Sequence, residues 1–280
     1  MSIYKVQHAT NLAADTTAGP SPALWANCPV DDIRNDFGVG YLFEDDFLNQ
    51  PNFSATDSDL YNYAVYGDTG VTFGGLATAV GGVAQIAAND ADNDALVIRT
   101  GGSSGVLGKV TDTAGSNKKL WWEARIKTAS IADDGVAIFC GLSAEISLAA
   151  TDTVQTDDTG VLKTTDYIGF RTLSADGDGL DSVYITAGTE VVHKESAATL
   201  VADTWIKVGG YFDGKGYYYY INGQQIVPTT AGGAADKVGI LPSATSFPDG
   251  EEVGLMLATK VGTAAEVKVD IDWWRFAQLR

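Results

Sequence analysis

The residues in this chain best suited to chemistry are carboxylates and aromatics, and their spacing sorts them into three sets. Asp90, Asp92 and Asp94 alternate within Asn89–Asp94, and Asp176, Asp178 and Asp181 recur within Ala175–Asp181. Alternate acidic oxygens suit a hard cation, so both runs are candidate calcium ligands, although neither supplies the Glu that closes an EF-type loop. The competing reading of both runs is an Asp/Gly turn. Asp270 and Asp272 fall on one face of a strand, beside Trp273-Trp274, and Tyr218 and Tyr220 alternate within Tyr217–Tyr220. Carboxylates beside broad aromatic rings could hold a sugar, so Tyr218, Tyr220, Trp273 and Trp274 are a candidate glycan platform. The competing reading of the Trp pair is core and edge packing. His8 and His193 are the only histidines, which leaves little material for a Ser-His-Asp arrangement or a His-rich metal site. Gly101–Gly105 lacks the Lys-Ser/Thr and the helix of a phosphate loop and reads as a turn. No residue is assigned a catalytic role.

These residues need a scaffold, and the composition describes one. The chain has 280 residues, 45% hydrophobic, with 32 Gly and only 7 Pro, enough apolar material for a large core. Acidic side chains outnumber basic ones 36 to 18, a net charge of −18. Such a surface repels nucleic-acid phosphate and anionic membranes, so neither is an expected partner. It favours a well-solvated acidic surface, adaptation to salty water, or repulsion between copies packed closely together. Cys28 and Cys140 make no disulfide framework, and Cys140, ending an apolar run, reads as a buried thiol. Met1–Lys5 has no apolar stretch of the signal-peptide kind, and no apolar run is long enough for a bilayer span.

Residues 1–40 show no clear period and carry loop formers, so they read as an extended arm with one helical turn near Asp31–Asn35. The arm has Leu24, Trp25 and Phe37 to bury, on its own domain or on a neighbour. Residues 41–280 read as one β domain. Leu120–Thr128 alternates, with Leu120, Trp122, Ala124 and Ile126 on one face and Trp121, Glu123, Arg125 and Lys127 on the other. Glu123 then reads as an exposed partner of Arg125 or Lys127. Val136–Leu142 is apolar on both faces, as a central strand is. Asn222-Gly223 between strands is a strong hairpin signal. In the last strand Val267, Val269, Ile271 and Trp273 alternate against Lys268, Asp270 and Asp272. Around a dozen such strands predict an all-β, two-sheet antiparallel sandwich or barrel.

Trp121–Lys127 followed by Val136–Leu142 resembles the central strand pair of the concanavalin A-like lectin/glucanase jelly rolls. The run from Trp205 to Val208, Tyr211–Gly214 and Tyr218–Gly223 resembles their W-x-x-V, D-G, Y-x-N-G hairpin, and Val269–Phe276 their final strand. The resemblance covers about residues 41–279 and implies a jelly-roll β-sandwich. Glucanases of that fold carry Glu-x-Asp-x-x-Glu on one strand, where alternation sets i and i+2 on one face. That motif is missing here, and Glu145 is followed by Ile146 and Ser147. The arm, the Gly/Ala/Thr/Asp-rich sandwich and the unprocessed start together resemble tailed-bacteriophage head decoration (cement) proteins. This implies a non-enzymatic virion protein on the capsid exterior. Its partners would be the major capsid protein, sister subunits in a homo-oligomer with a trimer favoured, and a host glycan. Leu24, Trp25 and Phe37 would be the contacts to the shell or to sister subunits. The alternatives are a carbohydrate-binding module and, third, a glycoside hydrolase.

Overall fold

The computed structural model describes residues 17–48, 53–54, 58–60, 63–76, 79, 81–101, 107–110, 117–133, 135–144, 155, 162–163, 166–186, 188–228, 239–263 and 267–280. Two short helices come first, α1 (Pro22–Trp25) and α2 (Val30–Asn35). Pro22 opens α1 at a position where its missing N–H costs nothing. The strands follow as β1 (Gly40–Asp45), β2 (Phe53–Ser54), β3 (Ser58–Leu60), β4 (Tyr63–Gly67), β5 (Thr72–Gly75), β6 (Ala84–Ala88), β7 (Ala95–Thr100), β8 (Gly108–Lys109) and β9 (Leu120–Thr128). The second half contributes β10 (Val136–Ser143), β11 (Tyr167–Leu173), β12 (Asp176–Thr186), β13 (Thr189–Thr199), β14 (Ile206–Phe212), β15 (Tyr217–Ile221), β16 (Gln224–Gln225), β17 (Glu252–Val261) and β18 (Val267–Leu279).

The strands form two antiparallel sheets packed face to face, a jelly-roll sandwich. The first sheet runs β16-β15-β14-β9-β18-β6-β5-β2, with β1 also on β18. The second runs β13-β12-β11-β10-β17-β7-β4-β3, with β8 also on β17. Inward residues of both sheets build the main core, among them Trp122, Val208, Tyr217, Tyr219, Trp274 and Phe276 facing Ile138, Cys140, Ile168, Phe170 and Leu257. Polar tips in that core find partners: the Trp122 indole donates to the Tyr217 hydroxyl at 2.6 Å. Cys140 lies in this core as a free thiol, which burial holds well above its usual range.

The expected central strand is β10, buried along its whole length between β11 and β17. Asn222 and Gly223 both take positive φ, 47° and 73°, as a tight hairpin turn demands. Two expectations fail for identifiable reasons. The register of β18 against β9 slips between Ile271 and Trp273. That extra residue reverses the alternation, so Trp274 enters the core while Trp273 stays on the outer face. Asp176–Asp181, expected as a turn or a calcium loop, belongs to β12. The segment 145–150 and the histidine at position 8 lie outside the described residues.

Candidate functional site

Each sheet has an outer face, and in a half-solvated sandwich those faces would be wet. Here residues of both outer faces are buried. On the second sheet, Ala64, Tyr66, Val97, Phe139, Tyr167, Val183, Ile185, Met256 and Ala258 form a closed cluster together with Leu162. Beside it Arg171 is enclosed by two carboxylates, Asp181 at 2.5 Å and Glu190 at 2.7 Å. Glu190 also accepts the Leu162 backbone N–H at 2.9 Å, which ties that segment down.

The first sheet is covered by residues 18–39. Leu24, Trp25 and Ile33 join Trp121 and Ala277 in a small separate core, with Cys28, Val30, Leu42, Tyr211 and Tyr220 around it. Gly209 makes the space for Leu24: a Cβ there would stand 2.8 Å from the leucine's Cδ2 and 2.5 Å from the Trp122 carbonyl oxygen. Four polar anchors then fix the segment. Glu123 accepts the Ser21 backbone N–H at 2.9 Å and the Trp25 indole N–H at 2.7 Å. The Lys207 ammonium donates to the Gly19 carbonyl at 3.1 Å. The Trp273 indole donates to the Ala18 carbonyl at 2.6 Å. Arg275 stacks its guanidinium 4.4 Å from the centre of the Trp25 ring and forms an ion pair with Glu44 at 2.6 Å.

Glu123 is therefore 1% exposed, and Trp121 beside it is 0% exposed. The alternation placed both on the correct face, but the expected exposure of Glu123 is wrong. The cover arrives from residues about a hundred positions earlier, which no local pattern reveals. Burial holds the Glu123 carboxyl above the usual range, against the donors at Ser21 and Trp25 and the nearby charge of Lys207. Burial likewise raises the Cys28 thiol to about 12. Leu24 and Trp25, expected as contacts to a shell or sister subunits, are buried on their own domain. Phe37 is 77% exposed, at the turn between α2 and β1.

An open cleft of about 340 Å³ adjoins the docked segment, lined by Pro20, Glu44, Asp45, Asp46, Trp273, Trp274 and Arg275. Trp273 offers it a partly exposed ring, whereas Trp274 is core and is no platform. Glu44 is held by Arg34 and Arg275, and Asp45 accepts the Tyr63 hydroxyl and the Phe47 N–H. Tyr218 and Tyr220 do point outward, half-buried, from a strand whose Tyr217 and Tyr219 are core. Tyr218 stacks on Tyr211 at 6.1 Å, and Tyr211 stacks on Trp121 at 5.3 Å, a row across three strands. Sequence reading missed Tyr211, although its position in β14 opposite Tyr218 is a cross-strand pair.

The remaining sequence candidates do not converge. Asp270 pairs with Lys127 at 3.0 Å and Asp272 with Arg125, and both cations lie over Trp205. Among the described residues no three His, Cys, Asp or Glu side chains gather as a metal site would need. Asp94 closes its own turn by accepting the Ala91 N–H, and Asp181 is taken by Arg171 and the Ser196 N–H. Neither Asp90, Asp92 and Asp94 nor Asp176, Asp178 and Asp181, the candidate calcium ligands, therefore come together as three side chains around one point. Among the described residues no helix is long and apolar enough to cross a membrane.

No family model matches the chain, and no curated protein matches it by sequence. Solved structures do match in fold. A peanut lectin bound to a nine-residue peptide is similar at TM-score 0.52 and 15% identity, covering 86% of this chain and 99% of the lectin. A pseudo β-1,3-glucanase of Mycobacterium tuberculosis is similar at 0.48 and 15%, over 85% and 98%. A Bacillus licheniformis β-glucanase is similar at 0.46 and 14%, over 86% and 99%. The likeness to the lectin shows the fold alone, a two-sheet antiparallel jelly-roll sandwich of the concanavalin A-like kind.

Proposed function

We propose that this chain is a non-enzymatic structural protein of a phage virion. It decorates the capsid exterior by binding the major capsid protein, as a homo-oligomer whose trimeric form suits threefold positions on a shell. One observation carries the non-catalytic part. On the two sheets' outer faces Glu123, Asp181, Glu190, Asp270 and Asp272 are each sealed or ion-paired. Glycoside hydrolysis needs two carboxylates flanking one bond, and a general acid must come within hydrogen-bond reach of it. Glu123 has the raised affinity for a proton that an acid needs, but Ser21 and Trp25 fill the space a substrate would occupy. The capsid assignment is supported by the resemblance of composition and N-terminal segment and by the exposed Phe37. Co-sedimentation with capsids assembled from the same phage's major capsid protein tests it. Saturable binding at a fixed ratio of chains to capsomers is expected, and a chain left in the supernatant overturns it.

A carbohydrate-binding module is the second reading, favoured by the cleft at Trp273 and by the outward pair Tyr211 and Tyr218. In that case Trp273→Ala or Tyr218→Ala abolishes binding in a soluble-glycan screen without lowering the melting temperature by more than a few degrees.

A further inference from the structure

We propose that the groove on the outer face of the first sheet is an exchange socket, in which residues 18–35 of one copy fill the groove of another copy of this chain. The proposal rests on the assembly reading and gives its homo-oligomer a physical joint, but its test needs no capsid.

The contacts of the segment point to a socket. Apart from bonds within its own two short helices, the segment is held by groups of the sandwich: Glu123, Lys207, Trp273, Arg275 and, through Arg34, Glu44, with Leu24 seated over Gly209. It is thus recognised as a ligand is, at points that do not depend on which chain supplies it. Lifting the segment would uncover Trp121 and strip Glu123 of the Ser21 and Trp25 donors. Replacement by an identical segment restores the same bonds to Glu123 and the same cover over Trp121.

The tether supplies the means. Four residues, Asp36 to Val39, reverse the chain between α2 and β1. Their turn is held by the Val39 N–H to the Asp36 carbonyl at 3.0 Å and the Gly38 N–H to the Asp36 side chain at 2.7 Å. Its central Phe37 is an exposed aromatic with no packing role in the closed chain. Opening that turn sends the segment outward while β1 keeps its pairing with β18. Two or three copies then close a ring, each segment in the next groove, with Phe37 in the new junction. Exchange of an identical element is a low-cost route to an oligomer.

Within one chain the segment competes at an effective concentration of about millimolar. The intact protein therefore exchanges only where copies are crowded. Deleting Phe37 and Gly38 removes the chain needed to turn back, and with it the competitor. Native mass spectrometry and sedimentation should then show closed dimers or trimers at concentrations about 100-fold below those the intact chain needs. Adding Leu24→Asp to the deletion should return monomers. Tagged and untagged intact chains, mixed near millimolar concentration and diluted, should give mixed oligomers. This second arm decides the matter if the deletion variant does not fold. Monomers throughout both arms would overturn the proposal, as would oligomers that persist with Leu24→Asp.

Discussion

Replacing Trp25 by Phe keeps a ring in the small outer core but removes the indole N–H that Glu123 accepts at 2.7 Å. A hydrogen bond to a charged group contributes about 1.5–3 kcal/mol, and trimming the bicyclic ring loses about 1 kcal/mol of burial. The expected loss with Glu123 ionised is therefore about 2–4 kcal/mol. For 280 residues the unfolding entropy near the melting temperature is about 0.6 kcal/mol per degree, so the midpoint should fall by about 3–7 °C. The loss also has a pH signature. Glu123 has a folded-state pKa above its unfolded one because it is buried. Its contribution is fully present below the unfolded value and is lost as pH rises through the folded value. Trp25→Phe removes an influence that lowers the folded pKa, so the variant loses more on the way up. The gap between the two proteins should thus be widest above the folded-state value and shrink to about half below it, where Glu123 is protonated, because a hydrogen bond to a neutral acid is weaker. Thermal melts of both proteins from acid to alkaline pH measure this. A gap that is absent, or independent of pH, would refute the assignment of Glu123 as the buried anchor.

Gly209→Ala should loosen the segment, because the added Cβ meets both Leu24 and the Trp122 carbonyl, and faster hydrogen exchange in 18–26 would report it. Arg171→Leu leaves Asp181 and Glu190 buried without their cation, and should cost about 3–5 kcal/mol in a denaturant titration. Tyr217→Phe orphans the buried Trp122 indole, at about 1–3 kcal/mol by the same titration. Calcium or a chelator should leave the melting temperature unchanged, since the candidate aspartates do not gather.

The sandwich was legible because alternation is a backbone property. Leu120–Thr128 sorted its residues onto the correct faces, and Asn222-Gly223 announced its turn from two residues alone. The bulge at Asp272-Trp273 was not legible. One extra residue leaves composition unchanged and reverses every side chain beyond it, so the two tryptophans traded places. The site was hidden for a different reason. A strand pattern tells which way Glu123 points but not what lies above it, and its partners Ser21 and Trp25 are the N-cap and last residue of a four-residue helix with little period of its own. The fit of Leu24 over Gly209 is likewise a contact between distant segments, where the informative residue has no side chain.

The central claim is that the outer face of the first sheet is a socket sealed by the segment 18–35. Hydrogen-exchange mass spectrometry on the intact chain tests it directly, through peptides spanning residues 18–26. The Ser21 and Trp25 amides are bonded to Glu123 and to the Ser21 carbonyl, so these peptides should exchange far more slowly than an unstructured chain. Exchange at the unstructured rate would mean an open groove and an accessible Glu123, and would return the protein to the carbohydrate-active readings.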